Sequence, residues 1–261
     1  MVSNEQTDLP TLGVFNSGKA ALRNVCDVTL QNIPKLTELT LRSAFMGVKM
    51  LRMENASMLE TNDELLEKKK STDILLKEQE EKRARREKGI VMDAEDYKNL
   101  PVEVTSITVE SCEDYKSEVL DFSRFKELIV LKIKPKCFSY PSVVKIEKLP
   151  KLKSIEIGEN CFSSNSANSQ LLVTDCPALD SLNIGNHSFS DFKTFSISNN
   201  AMLRSLTMGS FCFTEAEFTL KGLGGLETIC LGEKCFEKSR HTLIEGAMCG
   251  VGVMVRLSSA I

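Results

Sequence analysis

Apolar residues alternate with polar ones in short paired runs along most of this chain, and the runs return at nearly constant spacing. The clearest copy is Leu149–Phe162, LPKLKSIEIGENCF. It recurs as CPALDSLNIGNHSF from Cys176, NAMLRSLTMGSFCF from Asn200 and LGGLETICLGEKCF from Leu223, with a looser copy, FKELIVLKIKPKCF, from Phe125. Anchored on Leu128, Leu152, Leu179, Leu203 and Leu226, the intervals are 24, 27, 24 and 23 residues. The phenylalanine ten positions after each anchor moves in step, so length changes fall between copies.

Eight and six residues before an anchor stand pairs such as Leu171/Val173, and three and five after it pairs such as Ile155/Ile157. Both have the period of two that marks a strand with one buried face. Gly158, Gly185, Gly209 and Gly232 follow the second pair and predict a turn with positive φ. Each coil is expected to run strand, bend, strand, glycine turn and polar loop. One coil cannot bury its own apolar side, so coils must stack and pair their strands along an array. About eight coils at about 4.8 Å each would span roughly 40 Å. The predicted fold class is a repeat solenoid, mainly β, with parallel strands and one inserted charged α-helix.

The pattern divides the chain. Residues 1–59 hold early coils: an imperfect one around Leu12 and Phe15, one anchored on Leu36 with Val28, Leu30, Leu39, Leu41 and Phe45, and one on Leu59 with Leu51 and Met53. Residues 60–99 break the repeat. Asp63–Lys88 carries 17 charged side chains and predicts a largely solvated helix. Asn62 would cap it, Glu64–Lys68, Asp73–Lys77 and Glu78–Lys82 would support it as i,i+4 pairs, and a break is placed near Lys70–Thr72. KRARREK at Lys82–Lys88 resembles a short basic localisation patch but, diluted by Glu78, Glu80, Glu81 and Glu87, reads as a solvated helix face, a further alternative being a partner-binding or coiled-coil helix. Residues 100–236 resume the array with Val104 as anchor. Residues 237–261 fit a decayed last coil if Gly250 is its anchor, with Thr242, Ile244, Val253 and Val255 in strand positions.

With this organisation in hand, the LxxLxL core and its period near 24 resemble leucine-rich repeats. The continuation Ile157–Phe162 and Ile184–Phe189 is similar to the BspA-like subclass of bacteria and protists. The resemblance covers Val28–Leu59 and Leu100–Phe236. It implies a curved solenoid that binds other macromolecules, with no catalytic residue. The chain departs from the family in lacking an asparagine at a fixed place and in carrying the helical insert.

Composition narrows the function further. The net charge of -3, from 33 basic and 36 acidic residues, carries no overall sign that would favour nucleic acid. Trp is absent and Tyr occurs three times, which disfavours aromatic cages. No basic stretch followed by an apolar core opens the sequence and no run reaches the roughly 20 apolar residues of a spanning helix. The expectation is a cytoplasmic protein without a membrane segment, whose nine cysteines are reduced.

Cys137, Cys161, Cys212 and Cys235 share one offset, with Ser188 in the middle copy, and are expected to pack as small core residues; no CxxC spacing points to zinc. His187 and His241 are flanked by no nucleophile motif. Ser106, Ser154, Ser181, Ser205 and Thr228 form a hydroxyl series expected to serve the bend between strands.

The leading expectation is a non-catalytic protein-binding or scaffold protein with no cofactor and no metal. Its binding face would be Lys132, Glu156, Asn183 and Thr207, four after each anchor, with Lys153, Asp180, Arg204 and Glu227, one after. Mixed charge there fits a protein partner rather than nucleic acid. Two alternatives stand beside it: a thiol- or histidine-dependent enzyme or regulator acting from the late coils, and a decayed copy without a retained role.

Overall fold

The computed structural model describes residues 14–16, 27–33, 38–40, 49–56, 63–245 and 254–257. It divides into two compact units, Met1–Glu81 and Lys82–Ile261.

The first unit contains β1 (Val14–Asn16), β2 (Asp27–Gln31), β3 (Glu38–Thr40) and β4 (Met50–Glu54), and most of helix α1 (Asp63–Glu87). β1 pairs in parallel with β3 and β2 with β4, with Phe15 opposite Leu39, Val28 opposite Leu51 and Leu30 opposite Met53. This is the register the repeat offsets require. Leu12, Leu36, Leu41, Phe45, Leu59 and Asn62 lie outside the described residues.

Helix α1 runs through Lys70–Thr72 without the expected break. Thr72, which a solvated helix would expose, is fully buried. Its hydroxyl donates to the Lys68 carbonyl at 2.9 Å and accepts the Leu51 amide at 2.7 Å. A threonine that bonds back into its own helix and takes an orphan strand N–H is a docking point, and the helix continues through it. Ile74 and Leu75, in contrast, are exposed.

The second unit holds two parallel sheets, and from Val119 onward each coil supplies one strand to each. The first is eight-stranded, in the order β5 (Ile90–Val91), β6 (Ser106–Val109), β8 (Val130–Ile133), β10 (Ser154–Ile157), β12 (Ser181–Ile184), β14 (Ser205–Met208), β16 (Thr228–Leu231), β18 (Met254–Leu257). The second is six-stranded: β7 (Val119–Asp121), β9 (Val143–Glu147), β11 (Gln170–Thr174), β13 (Thr194–Ser198), β15 (Glu217–Lys221), β17 (Thr242–Glu245). Parallel neighbours need a long crossover, and here the other sheet's strand serves as that crossover. The result is mainly parallel β-structure with few helices, compatible with a β-solenoid type of repeat.

Inward residues of both sheets meet in one core, with Leu131, Ile155, Leu182 and Leu206 fully buried from the first and Val144, Leu171, Val173 and Phe195 from the second. At one corner Phe138, Phe162, Phe189, Phe213 and Phe236 stack ring on ring, at centroid spacings of 5.5, 4.5, 5.0 and 5.7 Å and interplanar angles of 16° or less.

Three corrections to the sequence reading have physical causes. The repeated glycines do not supply positive φ. That conformation belongs to the phenylalanines (Phe189 at 56°), to the residues two before them (Asn160 at 56°) and to those four before the anchors (Asn199 at 57°). The glycines are needed because coils touch there: a Cβ on Gly158 would stand 2.5 Å from the Pro135 nitrogen, and one on Gly209 2.5 Å from that of Asn186.

The first strand of the eight-stranded sheet, β5, lies within the stretch assigned to the helical insertion, as does α2 (Ala94–Lys98). Helix α2 closes the end of the core. Asp93 caps it by accepting the Asp96 amide at 2.7 Å, and the buried Tyr97 ring packs edge-on against Phe122 and Phe125. The charge of α1 masked this short apolar run.

Finally, the anchor at Gly250 holds for β17, where Thr242 faces Phe218 and Ile244 faces Leu220, but not for β18. Val255, not Val253, is the register partner of Ile229, a shift of two residues. Gly250 and Val253 lie outside the described residues.

Candidate interaction face

Strand register places four of the eight expected site residues on the outer side of the eight-stranded sheet, and the other four lie exposed at its strand entrances. Lys132, Glu156, Asn183 and Thr207 are directly opposite one another on β8, β10, β12 and β14. Lys153, Asp180, Arg204 and Glu227 sit at the entrances of β10, β12, β14 and β16. They are joined by their own backbones: Asp180 N–H to Lys153 O at 2.8 Å, Arg204 to Asp180 at 2.9 Å, Glu227 to Arg204 at 2.9 Å. Alternation turns Lys132, Glu156, Asn183 and Thr207 outward, since their neighbours Leu131, Ile155, Leu182 and Leu206 point into the core, and Lys153, Asp180, Arg204 and Glu227 are exposed where the chain enters the strands.

The charges on this face answer one another. Lys132 Nζ lies 2.7 Å from Glu156 Oε2, and Arg204 Nε lies 3.7 Å from Asp180 and 4.0 Å from Glu227. Exposed pairs of this kind contribute about 0–1 kcal/mol each, so they are not what holds the coils together. Between the two rows run Ser154, Ser181, Ser205 and Thr228, in register and half-buried. These hydroxyls belong to the strands of the face and not to a bend, and Val130 stands in their column between Ser106 and Ser154.

The shared cysteine position has a task beyond packing. Cys161 Sγ lies 3.2 Å from the Lys134 carbonyl, Cys212 Sγ 3.2 Å from Gly185 O and Cys235 Sγ 3.0 Å from Gly209 O, each on the preceding coil. Ser188 does the same with its hydroxyl, 2.7 Å from Gly158 O. The residue must be small and must donate to a carbonyl left over at the corner. Asn200 repeats the device at another corner, accepting the Cys176 amide at 2.8 Å and donating to Val173 O at 2.9 Å.

Burial pushes the thiols up, Cys112 to about 12 and Cys137 and Cys176 to about 11. Cys235 is the exception: its neighbour Cys212 brings it down to about 7, and Cys212 itself is pushed up. His187 stacks on Phe211, with ring centroids 4.8 Å apart. Among the described residues, no three His, Cys, Asp or Glu side chains are grouped as metal ligands would be. No helix among them is long and apolar enough to cross a membrane.

Two features escaped the sequence reading. Asp96 is fully buried, with Arg86 Nε 2.8 Å from one oxygen and the Met92 amide 3.1 Å from the other. Charge is also banded by coil. Residues 124–153 carry nine basic side chains against two acidic; residues 103–121 before them carry six acidic and one basic, and residues 154–192 after them five acidic and no Lys or Arg. Counting charge per coil, in place of over the whole chain, would have found it.

The chain matches no family model, no curated protein and no solved structure.

Proposed function

We propose that the chain is a non-catalytic protein-binding or scaffold protein, built as a leucine-rich-repeat solenoid of the BspA-like kind and working in the cytoplasm, and that it takes its partner on the outer face of the eight-stranded sheet. One observation carries this reading: the eight residues expected from repeat offsets stand in two aligned rows on consecutive strands, outward and mixed in charge. Their backbones are fixed by a buried core, so little ordering remains to be done when a partner arrives. Opposite charges in alternation complement another protein's surface, whereas a phosphate backbone asks for one sign.

The test is affinity capture from the native cell with the full chain, with Glu156→Lys/Arg204→Glu, and with residues 62–88 removed. The reading expects recovery of one partner to fall at least tenfold with the double substitution and to survive removal of the segment. Equal recovery with the double substitution moves the interaction off this face.

A further inference from the structure

Pro150 and Pro177 occupy the same place in successive coils, two residues before Leu152 and Leu179, and both are exposed at the corner where the chain passes from the second sheet to the first. A groove opens on each side of the ridge they form. One, about 580 Å³, is lined by Pro150, Pro177, Ala178 and Met202 with Lys153 and Asp180. The other, about 540 Å³, is lined by Pro150 and Pro177 with Lys126, Lys148, Asp175 and Asn199. Met202 is 53% exposed, unusual for so large an apolar side chain beside two prolines.

The charge around this ridge is unequal. Three lysines, Lys126, Lys148 and Lys153, stand against two aspartates, of which Asp180 is shared with Arg204 at 3.7 Å and Asp175 accepts from the neutral Asn199 amide at 2.9 Å. Lys126 donates to the Lys148 carbonyl, which leaves its positive charge uncompensated. Lys148 and Lys153 are exposed, and all three lysines, from two neighbouring coils, belong to the basic stretch of residues 124–153.

We propose that the Pro150–Pro177 corner is a second docking surface, for an acidic extended peptide segment of another protein, with an apolar side chain against Met202 and the prolines and carboxylates on Lys126 and Lys148. Two observations select a peptide over nucleic acid. The basic band spans two neighbouring coils at this corner, about 10 Å, with acidic stretches on either side that would repel a phosphate backbone. The ridge itself is apolar and fits a side chain. The proposal does not depend on the sheet face, since neither Lys126 nor Lys148 is on it.

The experiment is selection of random octapeptides displayed on phage against the full chain, followed by fluorescence polarisation of the selected peptides and of a labelled 20-nucleotide single-stranded DNA. The expected peptides carry Asp and Glu on both sides of a Leu, Ile, Met or Phe. Their binding should fall at least tenfold with Lys126→Glu/Lys148→Glu and at least fivefold with Met202→Ser. It should persist with Glu156→Lys, which leaves Arg204 on Asp180 and separates this corner from the sheet face, and with the remote control Arg240→Glu. Circular dichroism of each variant confirms that it folds. Selection of no peptide, peptides without acidic enrichment, binding indifferent to the lysine reversals, or DNA bound equally well and lost with the same lysines would each overturn the proposal.

Discussion

The Cys161 amide donates to the Ser188 hydroxyl at 3.0 Å, and that hydroxyl donates onward to the Gly158 carbonyl at 2.7 Å. Ser188 thus holds together two ends of the neighbouring coil's turn, from the place that a cysteine fills in other coils. Ser188→Ala leaves a buried N–H and a buried carbonyl without this partner and should cost about 1–3 kcal/mol. Cys161→Ser keeps a donor of similar size and should cost less than Cys161→Val. Urea unfolding of the three variants gives the order.

Backbone contact at the glycine column makes a second prediction. Gly209→Ala brings a Cβ to 2.5 Å from the Asn186 nitrogen, where backbone must move, so a loss of about 1–3 kcal/mol or more is expected. Gly222 is different: it has φ of 64° at the position filled by Asn199 and Asp175 in other coils, and its nearest neighbour would be a side-chain oxygen at 3.1 Å. Gly222→Asn should stay within about 1 kcal/mol of the parent, since Asn enters this region more readily than most residues. Thermal melts of the pair distinguish close approach from conformational freedom.

Asp96 is buried against Arg86 and accepts from the Met92 amide. Asp96→Ala removes the acceptor of the Met92 amide and leaves Arg86 with the exposed Glu95, 3.1 Å away, and should cost about 1–3 kcal/mol. Hydrogen exchange should show protection lost first at Ile90–Lys98, where β5 and α2 close the core.

Alkali should destabilise the second unit. Its buried thiols titrate higher in the folded protein than when unfolded, Cys112 at about 12 against an ordinary 9. A group whose folded value is raised contributes stability that is present below its unfolded value and is lost as pH rises through the folded one. The urea midpoint should therefore fall from about pH 9 to pH 11 as these thiols ionise. A midpoint unchanged at pH 10.5 would mean that these thiols are not held protonated.

Under native conditions at pH 7.5, Cys235 should react first with iodoacetamide. It is only partly buried, and its partner Cys212 brings it down to about 7. Mass spectrometry after timed alkylation should find Cys235 modified well before Cys112, Cys137, Cys161 and Cys176, whose thiolate is suppressed by burial.

What could be read from the chain was whatever repeats with a period. The alternation around Leu152 or Leu179 placed both strands of the coil, and the register of Lys132, Glu156, Asn183 and Thr207 followed from counting. What could not be read depends on contacts between coils. The meaning of Gly209 lies in the backbone of the coil before it, and that of Cys161 in a carbonyl 27 residues away. Thr72 resembled a helix breaker because its strand partner, Leu51, is 21 residues distant. Tyr97 was hidden for a simpler reason, its five-residue helix being too short to show a period.

The loop after each stacked phenylalanine is the one part of the coil whose length varies: four residues after Phe138, seven after Phe162, four after Phe189 and three after Phe213. Everything else in the coil is pinned by a ring, a left-handed residue or a ladder bond to the coil before. The array is therefore a ruler with fixed graduations. It can lengthen only by whole coils, about 4.8 Å at a time, and smaller insertions or deletions survive only as decoration along a single margin.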